Sequence, residues 1–120
     1  MDSNFSVVGI LSSLFKVKEE HAVIIYFQYG LESLDPLHEL EGELRNLLNE
    51  HKVGRLDGHE VEWFNVDGFL YLYGENAETL FKCIKPTLEA CPFMRGAEVQ
   101  LYFGPGRGEN ERQLTITLGG

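Results

Sequence analysis

The chain has 120 residues, enough for one domain to bury a core without disulfide or metal staples. Nineteen Asp and Glu against ten Lys and Arg give a formal charge of −9 and an isoelectric point near 4.8, a balance that repels phosphate backbones and anionic headgroups. Nucleic acid and membrane surfaces are therefore not expected partners, and two cysteines without a pairing pattern fit a reducing, cytoplasmic setting.

Residues 1–20 read as an N-terminal arm or short helix that packs on the rest of the domain, and residues 21–120 as a single α+β domain. The arm holds an apolar stretch from Phe5 to Val17, broken by Ser6, Gly9, Ser12, Ser13 and Lys16. Phe5, Val8, Leu11 and Phe15 recur at helical spacing. The stretch is too short to span a bilayer, and it opens with Asp2 rather than the basic cluster of a secretory signal.

Ala22 to Tyr29 is a nearly continuous β-branched and aromatic run, as expected of a central strand covered on both faces. Asp35-Pro36 then reads as N-cap and first helical residue. Leu37, Leu40, Leu44, Leu47 and Leu48 follow at three- and four-residue spacing, with Glu39, Glu41, Glu43, Arg45 and Asn49 assigned to the wet side. The helix should end near His51, with Gly54 as the break.

From Leu56 to Phe64 a polar segment with a bend at Asp57-Gly58 predicts an edge strand. Asp67-Gly68 is a hairpin signal that returns the chain antiparallel through Phe69 to Tyr73. Asn76 should cap a second helix whose apolar residues are Ala77, Leu80, Phe81, Ile84, Leu88 and Cys91, with Pro86 inside it and Pro92 at its end. Cys83 and Cys91, eight residues apart on that helix, would stand about 12 Å apart, too far to bridge, and are expected as free, buried thiols. Ala97 to Phe103 and Gln113 to Leu118 alternate as two further strands, paired as a hairpin at one edge.

This order is the βαββαβ plan of a ferredoxin-like sandwich with an added C-terminal edge strand, in which the first and third strands lie side by side in the centre. Both helices then cover one side of the sheet. Alternation sends Val23, Ile25, Phe27, Leu70, Leu72, Val99, Leu101 and Phe103 to the helix side. The opposite side receives Ile24, Tyr26, Phe69, Tyr71, Tyr73, Tyr102 and Trp63, a surface too aromatic to be left to water.

Those seven residues are the candidate interface. Aromatic sheets that stack bases need Lys or Arg close by, whereas the neighbours here are Glu98, Gln100 and Gln28. The face is expected to pack against a second copy of the chain or another protein partner, or to be covered by the arm.

Catalytic signals are weak. His59, Glu60, Glu62 and Asp57 crowd one edge, but 60 and 62 share a face that 59 does not, so a solvated edge accounts for them and no metal or cofactor is expected. His38 and Glu41 stand three apart on the first helix, and His51 sits near its end. The loop Gly104-Pro105-Gly106-Arg107-Gly108 leads into a strand rather than a helix and so lacks the geometry of a phosphate cradle. The reading is of a non-enzymatic domain. The alternatives are a small-molecule binding protein or enzyme with a pocket at a dimer interface, or an acidic immunity-type inhibitor of a basic protein.

Asp57-Gly58-His59-Glu60, the run from Leu70 to Phe81, Pro86, and Gly96 to Gly104 together resemble a group of small uncharacterised bacterial proteins. The resemblance covers about residues 35–104 and its motifs are a turn, a strand, a cap and a helix proline. It implies a ferredoxin-like α+β domain and no established activity.

Overall fold

The computed structural model describes residues 20–61, 66–104 and 113–119. Among these residues five strands and two helices follow in the order β1 (His21–Gln28), α1 (Asp35–His51), β2 (Arg55–Val61), β3 (Asp67–Gly74), α2 (Ala77–Glu89), β4 (Glu98–Tyr102) and β5 (Gln113–Thr117), with a short 3-10 turn at Pro92–Met94. The strands form one antiparallel sheet ordered β2-β3-β1-β4-β5, so the two most apolar strands, β1 and β3, do lie together in the middle. The expected arm, residues 1–19, lies outside the described residues.

Sidedness follows from side-chain alternation. Val23, Ile25 and Phe27 of β1, Leu70 and Leu72 of β3, and Val99 and Leu101 of β4 are buried, and they join Leu37, Leu40, Leu44 and Leu48 of α1 and Leu80, Phe81, Ile84 and Leu88 of α2 in one core. On the other side of the sheet Ile24, Tyr26, Phe69, Tyr71, Tyr73, Gln100 and Tyr102 stay half-exposed, while Ala22 is buried. Fully burying a Leu or Ile side chain contributes roughly 1.5–3 kcal/mol, so this core is ample for a chain of such length.

Several local features differ from expectation. Helix α1 begins one residue earlier than expected: Leu34 holds the N-cap position without a side-chain bond, and Asp35 is already helical. Capping comes instead from outside the helix. Ser33 Oγ accepts from the Asp35 N–H at 3.0 Å, and the buried Tyr29 hydroxyl accepts from the Leu37 N–H at 3.3 Å while donating to the Ser33 carbonyl. At the other end the left-handed residue is Lys52, with φ of 56°, rather than Gly54.

Gly54 serves a different purpose, since a Cβ there would lie 2.5 Å from the Tyr73 carbonyl oxygen. Gly74 faces it, and a Cβ on Gly74 would run into the Val53 carbonyl. Two bare backbones meet at this corner because neither residue has a side chain.

Asp67-Gly68 is not the hairpin turn but the start of β3, paired with Gln28 and Phe27 of β1, and Gly68 also faces Val61. Helix α2 is capped as expected, Asn76 Oδ1 accepting from the Thr79 N–H at 2.9 Å, and His21 Nδ1 accepts from the Ala77 N–H at 3.0 Å. Two of the donors that a helix N-terminus leaves open are thereby satisfied. The helix runs through Pro86 and stops at Glu89, so Cys91 falls in the turn beyond it. Cys83 and Cys91 are free, and both are half-buried rather than buried.

Candidate functional site

On the face opposite the helices, cross-strand register brings the expected side chains together. Ile24 of β1 stands opposite Tyr71 of β3, Tyr26 opposite Phe69, and Ala22 opposite both Tyr73 and Tyr102. The Tyr26 and Phe69 ring centroids are 5.2 Å apart, and Phe69 stacks on Tyr71 at 6.2 Å with an 18° interplanar angle. Ile24, Tyr26, Phe69, Tyr71, Tyr73 and Tyr102 are all half-exposed. Trp63, expected to join them, lies outside the described residues.

Three of the tyrosine tips on this face are tied to groups of the same face. Tyr26 donates to Asp67 Oδ1 at 3.0 Å, Tyr71 to Glu60 Oε1 at 2.7 Å, and Tyr102 to Gln100 Oε1 at 2.8 Å. The bond to Glu60, with desolvation and the carboxylate's charge behind it, pushes the Tyr71 pKa up to about 12. Tyr73 lies under the Arg55 guanidinium, 5.1 Å from its centroid, and Arg55 is in turn ion-paired with Glu20. Hydrogen bonding to Glu20 is the leading reason that the Arg55 pKa is raised.

A second polar group was not legible as a unit. Glu41, assigned to the wet side of its helix, is 5% exposed and meets His59 of β2, Nδ1 to Oε2, at 2.7 Å. His38, one turn earlier on α1, places its ring 5.9 Å from that of His59. The cause is a register shift between Leu56 and Gly58, which inserts an extra residue and turns His59 toward the helices, opposite Leu70. The sequence signal was the pair His38 and Glu41 at i, i+3; their partner on β2 could be found only by knowing the bulge.

Chemically, a carboxylate beside an imidazole fixes its ring orientation and tautomer. Among the described residues no three His, Cys, Asp or Glu side chains gather as a set able to hold a metal ion. A cavity of about 850 Å³ lies elsewhere, between the start of α1 and the end of α2, lined by Tyr29, Leu31, Leu40, Pro86, Cys91 and Phe93 among others. Burial raises the thiol pKa of both Cys83 and Cys91, holding them in the unreactive protonated form.

Among the described residues no helix is long and apolar enough to cross a membrane. No protein-family model, curated protein or solved structure matches the chain, so the functional reading rests on this geometry.

Proposed function

We propose that the chain is a protein-binding module of ferredoxin-like plan, with β5 added beside β4, that acts in a reducing cytoplasmic compartment and docks another polypeptide on its helix-free sheet face. The observation that carries this reading is the aromatic array at the centre of that face: Tyr26, Phe69 and Tyr71 in ring contact beside Ile24. Aromatic rings concentrate contact area at low entropic cost, and interface cores are enriched in them.

The tyrosine hydroxyls of the array need no acceptor from a partner. Burying a hydroxyl without a partner costs about 1–3 kcal/mol. Here Tyr26, Tyr71 and Tyr102 bring their acceptors with them, so a partner can exclude water without supplying a bond for each tip.

Light scattering after size exclusion, run on the chain and on Tyr71→Ser and Phe69→Ser, tests the reading, with exposure of the rings to a soluble nitroxide followed by NMR. A dimer dissolved by either substitution makes the partner a second copy. A monomer with nitroxide-accessible rings leaves the face open for a different protein. A monomer whose Phe69 and Tyr71 rings are shielded from the nitroxide would overturn the proposal, because the chain would then be covering the face itself.

A further inference from the structure

The rim of the sheet face carries a charge pattern that narrows what can dock there. Glu60 at the end of β2, Asp67 at the start of β3 and Glu98 at the start of β4 surround the rings of Tyr26 and Phe69: Glu60 stands opposite Phe69, and Glu98 opposite Tyr26. Among the described residues the cation of this face is Arg55, at the other end of β2 and already paired with Glu20. One half of the face therefore combines stacked aromatic rings with three carboxylates.

The molecule itself displays what such a combination holds. Arg55 lays its guanidinium over the Tyr73 ring while Oε2 of a carboxylate, Glu20, accepts from its Nη1. The planar guanidinium suits both contacts at once: it stacks on aromatic faces and presents a fork of donors to carboxylate oxygens. At Tyr71 and Tyr26 a carboxylate also stands beside a ring, here accepting from the tyrosine hydroxyl itself. Glu60 meets its tyrosine through Oε1 and Asp67 through Oδ1, and an ionised carboxylate offers about four acceptor sites, so capacity for a second donor remains.

Spacing agrees. Alternate side chains of an extended segment project to one side at roughly 6.5–7 Å, twice the rise per residue of a strand. The Phe69 and Tyr71 rings are 6.2 Å apart. We propose, resting on the reading of this face as a docking surface, that its partner is a cationic polypeptide presenting arginines at alternate positions of an extended segment, seated over Tyr26, Phe69 and Tyr71 between Glu60, Asp67 and Glu98. A second copy of the chain would lay the same acidic rim against itself, which disfavours that occupant.

The test titrates the full chain, followed by NMR, with three synthetic peptides of one length and alternating pattern: Arg-Leu, Lys-Leu and Glu-Leu repeats. The Arg peptide should bind with shifts confined to Ile24, Tyr26, Phe69, Tyr71 and their neighbours, at least tenfold more tightly than the Lys peptide, and the Glu peptide should not bind. The double variant Glu60→Gln, Asp67→Asn keeps both tyrosine acceptors while removing their charge, and should weaken the Arg peptide at least tenfold. Equal affinity for Arg and Lys peptides, or no loss in the double variant, would overturn the inference and leave only attraction to the net charge. Absence of binding to the Arg peptide, in a chain whose rings are nitroxide-accessible, would sink the arginine inference while sparing the docking face. Shifts confined to the helix side would overturn both.

Discussion

Removing the Glu60 side chain should bring the Tyr71 pKa down toward the ordinary phenol value, leaving only the part that desolvation and Tyr73 hold up. In the folded chain that pKa is pushed from 10.0 up to about 12, first because the hydroxyl donates to Glu60, then through desolvation, then through the charge of Glu60. An offset of that size corresponds to ~2.7 kcal/mol of preference for the neutral phenol at 1.36 kcal/mol per pH unit. Tyr71 stays half-exposed and Glu60 exposed, and solvent screening reduces such surface pairs to about 0–1 kcal/mol, so stability should change by the smaller figure.

The sign is set by direction. The folded-state value lies above the unfolded one, so the contribution is complete below pH 10 and is lost as pH rises toward 12. Tyrosine ring-carbon NMR on the chain and on Glu60→Ala would follow each of the five tyrosines separately. Urea midpoints at pH 8 and pH 11 would read stability. Tyr71 should ionise near pH 12 in the parent and at a lower pH in the variant, and the parent should lose up to ~1 kcal/mol more than the variant between the two pH values. Ionisation of Tyr71 near pH 10 with Glu60 intact would refute the geometry of this part of the face.

Two glycines should respond oppositely to one added methyl. Gly42 lies inside α1 with open space around its Cβ position, so Gly42→Ala should stabilise by about 0.5–1 kcal/mol, whereas Gly74→Ala drives a Cβ into backbone at Val53 and should cost about 1–3 kcal/mol or more, both read from urea midpoints. Lys52→Gly should stabilise by about 1 kcal/mol in the same assay, because Lys52 holds a left-handed φ of 56° that an L side chain resists. Tyr29→Phe should destabilise by about 1–3 kcal/mol, because it orphans the buried turn at the start of α1, and amide exchange at Leu37 should accelerate with it. Cys83 and Cys91 should alkylate more slowly than a free thiol at pH 8, since burial raises both pKa values, and equalise with it only once urea unfolds the chain.

What could be read from the sequence follows from short-range periodicity. Alternate residues of a strand point to opposite faces, so the apolar runs at β1, β3 and β4 already separated Val23, Ile25, Leu70, Leu72, Val99 and Leu101 from Ile24, Tyr26, Phe69 and Tyr71 before any pairing was known. Leu spacing along α1 and Asn76 at the head of α2 worked for the same reason: each depends on residues within one turn.

The tertiary structure decided whatever depended on register between distant segments. One extra residue at Asp57 reverses the alternation of β2, turns His59 to the helix side and draws Glu41 out of solvent to meet it. Tyr29 replaces a side-chain cap at Asp35 only because the loop after β1 folds back on the start of α1. The acids that bind the tyrosine tips come from different strands, brought level by ladders spanning 11 and 41 residues of sequence. Periodicity reports which way a side chain points, but a contact also needs the relative slide of two strands, which is set by bulges and loops and leaves no periodic trace.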